Sequence, residues 1–203
     1  MLGNIFVNIS YTETWVIKMI EKKKRILEIA IQKKALEFGE FTLTSGEKSS
    51  YYFDGRKLTL DPEANHLISE IFLSIIIASG SKFIGGPTMG ADPIIGSVAC
   101  LSFKNKTPVS GLIIRKETKS HGKQNLIEGT PIIGESVAIV DDTCSTGGSL
   151  IHSISAVEEF GCIVNMVLCV LDRNMGGSDK IKRSGYKFLS IFSTNPDGEV
   201  NIN

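Results

Sequence analysis

Ser136-Val137-Ala138-Ile139-Val140-Asp141-Asp142-Thr143-Cys144-Ser145-Thr146-Gly147-Gly148-Ser149 is the stretch from which the rest of the chain is read. Val137 to Val140 is a short apolar run of mostly β-branched residues, the pattern of a buried strand in a parallel sheet. Asp141 and Asp142 close that run. A loop of small residues with two glycines follows, and a helical pattern opens at Ser149-Leu150-Ile151. A strand, a polar loop and a helix N-terminus in succession form an anion site, because unpaired backbone N–H groups and the positive end of the helix dipole face the loop. Gly147 and Gly148 let the backbone approach a phosphate without Cβ atoms in the way. A bare phosphate would be repelled by the two acids. A phosphorylated sugar suits the combination, with its phosphate on the loop, its hydroxyls on the carboxylates and a divalent cation screening the charge. The plainer reading is a βα turn with solvated acids. No Gly-Lys-Ser/Thr follows the glycines, so the loop is not a Walker A motif, and it does not fit Gly-x-Gly-x-x-Gly.

Two more strand ends carry polar residues. Lys82 to Gly86 reads as a strand entering the loop Gly86-Pro87-Thr88-Met89-Gly90-Ala91-Asp92, with Pro93 at an early position of the next helix. Alone, this second cradle is a weak signal. Ile163 to Leu171 reads as a strand with Asp172-Arg173 at its C-terminal end, where open parallel sheets place ligand residues. An ion pair with Asp172 is the plainer role for Arg173. Segments 86–92, 141–149 and 172–173 all follow strands, so they are expected to meet at one edge of a sheet. Strand and helix patterns alternate from about residue 61, which predicts an α/β fold: a mainly parallel sheet with helices on both faces.

Between these comes Arg115-Lys116-Glu117-Thr118-Lys119-Ser120-His121-Gly122-Lys123, delivered by the apolar run ending at Ile114. Hydrophobic periodicity then lapses until Ile132. So long a polar connection is usually a lid or a disordered segment. Clustered cations repel one another at rest and suit a loop closing over a polyanion, arginine gripping in a fork and lysines acting as point charges.

The remaining segments read more simply. Lys22 to Phe38 is predicted to be a helix with Gly39 as its C-cap, and its lysines a solvated face. Residues 1–20 carry little signal, although Trp15, Ile17 and Ile20 are candidates for packing. Phe41 to Thr44 and Tyr51 to Phe53, joined through Ser45-Gly46-Glu47-Lys48, predict a hairpin. Its aromatics are either packing residues or, for Tyr52 and Phe53, a surface for a planar base. Asp61-Pro62-Glu63 starts a helix that Gly80 ends. Lys187 to Phe192 is a last strand, and 196–203 reads as a frayed tail.

Composition sets outer bounds. With 203 residues, 42% of them hydrophobic, the chain suits one domain with a substantial core. A formal net charge of zero argues against a general nucleic-acid binder. Four cysteines without C-x-x-C spacing point to a reduced protein rather than a disulfide framework or zinc site. Neither a bilayer-length apolar run nor a secretory signal is evident, so a cytoplasmic location without membrane contact is expected.

The string Val137 to Ser149 resembles the phosphoribosyl pyrophosphate (PRPP) signature of type I phosphoribosyltransferases. Arg-Lys-Glu-x-Lys-x-His-Gly at 115–122 resembles the catalytic loop of the orotate phosphoribosyltransferases and selects that branch over the purine enzymes. The resemblance covers about residues 33 to 175. It implies a single phosphoribosyltransferase domain over 1–203, with residues from about 20 to 60 forming a hood over the base. The activity implied is transfer of the phosphoribosyl group from PRPP to orotate with magnesium. Another acceptor base, or a non-catalytic PRPP-binding regulator, are the alternatives. PRPP would be held by Arg115, Lys116, Lys119, His121, Asp141, Asp142, Thr143, Cys144, Ser145, Thr146, Gly147, Gly148 and Ser149. Lys119, Asp141 and Asp142 would be the catalytic group, with the magnesium ion near the two acids. Thr88, Met89 and Gly90 would contact pyrophosphate. Ser145, Arg173, Tyr52 and Phe53 would hold orotate. The family's lid closes over a neighbour's site, which implies a homodimer. Some members carry lysines where this chain has Thr44 and Met89.

Overall fold

The computed structural model describes residues 11–42, 48–117, 126–195 and 198–203. In chain order the elements are α1 (Tyr11–Gln32), β1 (Leu36–Thr42), β2 (Lys48–Phe53), α2 (Arg56–Thr59), α3 (Pro62–Ser79), β3 (Phe83–Pro87), α4 (Asp92–Lys104), β4 (Ser110–Ile114), β5 (Ile127–Glu128), β6 (Ser136–Cys144), α5 (Gly148–Glu159), β7 (Ile163–Asp172), α6 (Gly177–Arg183), β8 (Lys187–Thr194) and β9 (Val200–Ile202). The apolar runs build a seven-stranded sheet in the order β5-β4-β3-β6-β7-β8-β9, and β1 and β2 form a separate hairpin. β4, β3, β6, β7 and β8 are parallel to one another. The short strands β5 and β9 run antiparallel at the two edges.

β6 is apolar throughout its first half because both of its faces are covered. Ala138 and Val140 join the core formed with α1, α3 and α4. Val137 and Ile139 join the opposite core, with Leu150, Ile154 and Val157 of α5 and Ile181 of α6. All four strand residues are inaccessible to solvent. Burying a side chain the size of Ile139 stabilises the fold by roughly 1.5–3 kcal/mol. α3 is fixed at both ends. Asp61 Oδ1 accepts the N–H groups of Glu63 and Ala64 at 3.1 and 3.0 Å, and Gly80 closes the helix at φ 75°.

From β3 the chain moves outward to β4, and from β6 it moves the other way through β7 to β8. The direction of winding therefore reverses between β3 and β6. Such a reversal opens a crevice beyond the C-terminal ends of the two strands. The loops after β3, β6 and β7 all reach that end of the sheet.

Several boundaries differ from the sequence reading. The first helix runs over Tyr11–Gln32 rather than 22–38. Leu36 and Phe38 fit a helical spacing, but they pair instead with Phe53 and Tyr51 of β2. Gly39 is consequently a strand residue and no helix cap. Trp15, Ile17 and Ile20 are exposed rather than packed. β6 does not stop at Val140: its ladder with β7 continues to Cys144↔Asp172, so both acids are strand residues. The C-terminal residues are not all a tail, because Val200 to Ile202 pairs with β8.

Candidate active site

Asp141 and Asp142 stand at the end of β6, on the crevice. Asp141 is buried. One of its carboxylate oxygens accepts the N–H of Asp142 at 2.9 Å and the other accepts the Ser149 hydroxyl at 3.1 Å. Burial, then the neighbouring Asp142 charge, pushes the Asp141 carboxyl well above the usual carboxylate range. Burial also raises Asp142, where Asp54 adds to the rise and Arg56 opposes it.

The loop after β3 lies directly on this pair. A Cβ at Gly90 would fall 2.6 Å from Asp141 Oδ1 and 2.8 Å from Asp142 Oδ1, so only glycine lets the loop this close. Thr88 is anchored by its N–H to the Ile114 carbonyl at 3.0 Å and by its hydroxyl to Asp92 at 2.8 Å. Met89 between them is exposed.

Because β6 runs through Cys144, the glycine loop that the sequence reading takes as an anion site is shorter than expected. It comprises Ser145 to Gly147 and the first turn of α5, with Thr146, Gly148 and Ser149 exposed. Gly147 adopts φ 80° and packs on Gly177, where a Cβ would meet backbone at 2.9 Å. The Gly177 N–H donates to the Ser145 carbonyl at 3.0 Å, and the Arg173 N–H to the Cys144 carbonyl at 2.8 Å. The Cys144 side chain is in the core beneath α5. Burial pushes its thiol up to about 12, so any contact with a ligand there falls to the backbone.

The hairpin stands beside the same crevice. Strand alternation leaves Tyr52 on the open face, its ring 5.8 Å from that of Phe41. Phe53 was expected beside it on a base, but the same alternation turns its ring into the core. What Phe53 offers is its carbonyl, which accepts Nη2 of Arg173 at 2.9 Å. Arg173 also lies 5.7 Å over the Tyr51 ring. Its Nε is buried with no partner among the described residues. Asp172 does not pair with it and instead accepts the Asn174 N–H.

No protein-family model matches the chain. Curated relatives do match over most of its length. The orotate phosphoribosyltransferase of Aquifex aeolicus is 36% identical over 177 residues, 86% of this chain and 96% of that one. The enzyme of that name from Rhodopirellula baltica is 35% identical over 167 residues, 79% of this chain and 86% of that one. The chain belongs to the orotate phosphoribosyltransferase family. Its fold is that of the type I phosphoribosyltransferases. The crystal structure of Mycobacterium tuberculosis orotate phosphoribosyltransferase in complex with PRPP superposes with a TM-score of 0.71 at 28% identity, covering 85% of this chain and 96% of that one. A phosphoribosyltransferase from Corynebacterium diphtheriae superposes with the same TM-score at 30% identity, covering 85% and 96%.

In this orotate phosphoribosyltransferase the cationic segment 115–123 is described only as far as Glu117. Arg115 follows β4, with Nε on Glu128 of β5 at 2.8 Å and its carbonyl 2.9 Å from Nε2 of His152. Lys116 is exposed. Lys119, His121 and Thr44 lie outside the described residues. One part of the site escaped the sequence reading: Asp54-Gly55-Arg56, the corner after β2. A Cβ at Gly55 would fall 2.7 Å from Asp142 Oδ2. An Asp-Gly turn directly after the hairpin was the available signal.

Proposed function

We infer that this chain transfers the 5-phosphoribosyl group of PRPP to orotate, forming orotidine 5′-monophosphate and pyrophosphate. The observation that carries the reading is one carboxylate pair at the winding reversal between β3 and β6, with Gly90 of the 86–92 loop against both acids and Ser149 in the first turn of α5 hydrogen-bonded to Asp141. That arrangement fits a sugar with phosphate at one end and pyrophosphate at the other.

In this reading the bond from the anomeric carbon to pyrophosphate breaks while the bond to the orotate nitrogen forms, and the proton on that nitrogen passes to the departing pyrophosphate or to water. Positive charge grows on the ribose as negative charge leaves, so no strong base is needed and the protein's work is electrostatic and positional. Amides from Ser145 through the first turn of α5 hold the 5′-phosphate. Asp141 and Asp142 hold the ribose hydroxyls. Thr88, Met89 and Gly90 line the pyrophosphate side, and Arg115, Lys116, Lys119 and His121 close over it. Ser145, Tyr52 and Arg173 orient orotate, Arg173 with the donors that Phe53 leaves free.

Magnesium fits this donor set only as a shared ion. Among the described residues no three metal-ligating side chains cluster. Two carboxylates plus substrate oxygens and water are, however, the usual surroundings of Mg²⁺. The ion would neutralise charge on pyrophosphate, and Asp141 and Asp142 would hold it. We further propose one domain with the hairpin as hood, and a homodimer in which each lid serves the partner's site. A cytoplasmic location without nucleic-acid or membrane partners completes the reading. No helix among the described residues is long and apolar enough to cross a membrane.

The test is to mix the protein with magnesium, PRPP and orotate and follow the fall in orotate ultraviolet absorbance. Uracil, adenine and hypoxanthine serve as competing acceptors. Turnover with orotate alone is the expected result. Turnover with a purine and none with orotate would overturn the assignment.

A further inference from the structure

The corner Asp54-Gly55-Arg56 has no part in the scheme above. Gly55 packs on one oxygen of the Asp142 carboxylate and Gly90 on the other. Asp142 is thus held between the 86–92 loop and this corner, with Arg56 next along the chain. Asp54 holds the Arg56 guanidinium along one edge: Nε donates to Oδ1 at 2.9 Å and Nη2 to Oδ2 at 3.3 Å. The Arg56 N–H also donates to Oδ1, at 3.2 Å. Nη1 has no partner among the described residues, and the side chain is 54% exposed. The charge of Arg56 reaches Asp142 and favours its ionised form, against burial and Asp54. Two other cations near the crevice are already engaged, Arg115 with Glu128 and Arg173 with the Phe53 carbonyl. Met89, at the exposed tip of the pyrophosphate loop, carries no charge.

We propose that Arg56 binds the pyrophosphate half of PRPP, and that Asp54 is the positioning residue that aims it. The inference rests on the phosphoribosyl-transfer reading above. A guanidinium gripped along one edge by a carboxylate presents its other N–H groups in a fixed plane, matched to phosphate oxygens. Little side-chain freedom is then lost when substrate arrives. The same cation offsets the repulsion that Asp141 and Asp142 exert on an incoming polyanion.

Kinetics of Arg56→Gln, Arg56→Lys and Asp54→Asn test this, alongside thermal unfolding. Loss of one charge-assisted contact predicts a rise of about tenfold in KM for PRPP and in the inhibition constant of pyrophosphate for Arg56→Gln. KM for orotate and the thermal midpoint stay near wild type, Arg56→Lys recovers part of the loss, and Asp54→Asn shows a smaller version of it. An unchanged KM for PRPP overturns the proposal. So does a rise confined to orotate, or a loss that tracks a falling thermal midpoint. Calorimetric titration with magnesium pyrophosphate needs no acceptor base. If orotate turnover failed but Arg56→Gln still weakened pyrophosphate, the acceptor assignment would fall and the role of Arg56 would stand.

Discussion

Asp141 is held in a way that suits ligand binding more than folding. Its carboxylate is buried next to a second carboxylate, and its raised folded-state value means the native protein binds a proton that the unfolded chain releases. That contribution is complete below the unfolded carboxylate pKa of about 3.9 and is lost as pH rises through the folded value. Asp141→Asn removes this penalty. The variant is expected to unfold about 2–4 °C higher than wild type near pH 8 without ligand, and to show a flatter dependence between pH 5 and 8. Turnover should be lost. Differential scanning fluorimetry across that pH range checks it, and a variant less stable than wild type at pH 8 would contradict the account. Sequence made this residue visible, since adjacent acids before a glycine loop are local information. It hid the partners: nothing near residue 141 names Gly90 or Gly55.

Among the elements, the loop after β3 depends on two glycines for different reasons. At Gly86 a Cβ would lie 2.1 Å from the Val140 carbonyl oxygen, a backbone atom of the neighbouring strand. At Gly90 it would meet only the carboxylate ends of Asp141 and Asp142. Side chains can turn aside, whereas paired strands cannot separate without losing their ladder. Gly86→Ala is therefore expected to prevent folding. Gly90→Ala should fold with a near-normal thermal midpoint and lose about tenfold or more in kcat/KM for PRPP, because the acids are displaced from their working geometry. Steady-state kinetics with wild-type values for Gly90→Ala would refute the packing argument. The hairpin was legible through the alternation in its strands. Its burial pattern was not, and the position of Phe53 depends on which face of β2 the core covers.

At the scale of the whole molecule, the proposed dimer makes a distinctive prediction. Lys119→Ala should abolish turnover with little effect on stability, as should Asp142→Asn. Mixing the two inactive variants and allowing subunits to exchange should restore activity, because one site of each mixed dimer then has an intact lid and intact acids. Assaying the mixture over time checks it, and an inactive mixture of exchanged dimers would place the lid over its own subunit's site. By itself the sequence determined the alternation of strands and helices, the paired acids, the glycine loop after them and the cationic segment, since each is written in consecutive residues or a short period. Tertiary structure alone decided that β3 lies beside β6, that β9 closes the sheet edge, and that the corner at Gly55 packs on Asp142. Those facts depend on strand order and on backbone pairing between distant segments, for which local periodicity carries no record.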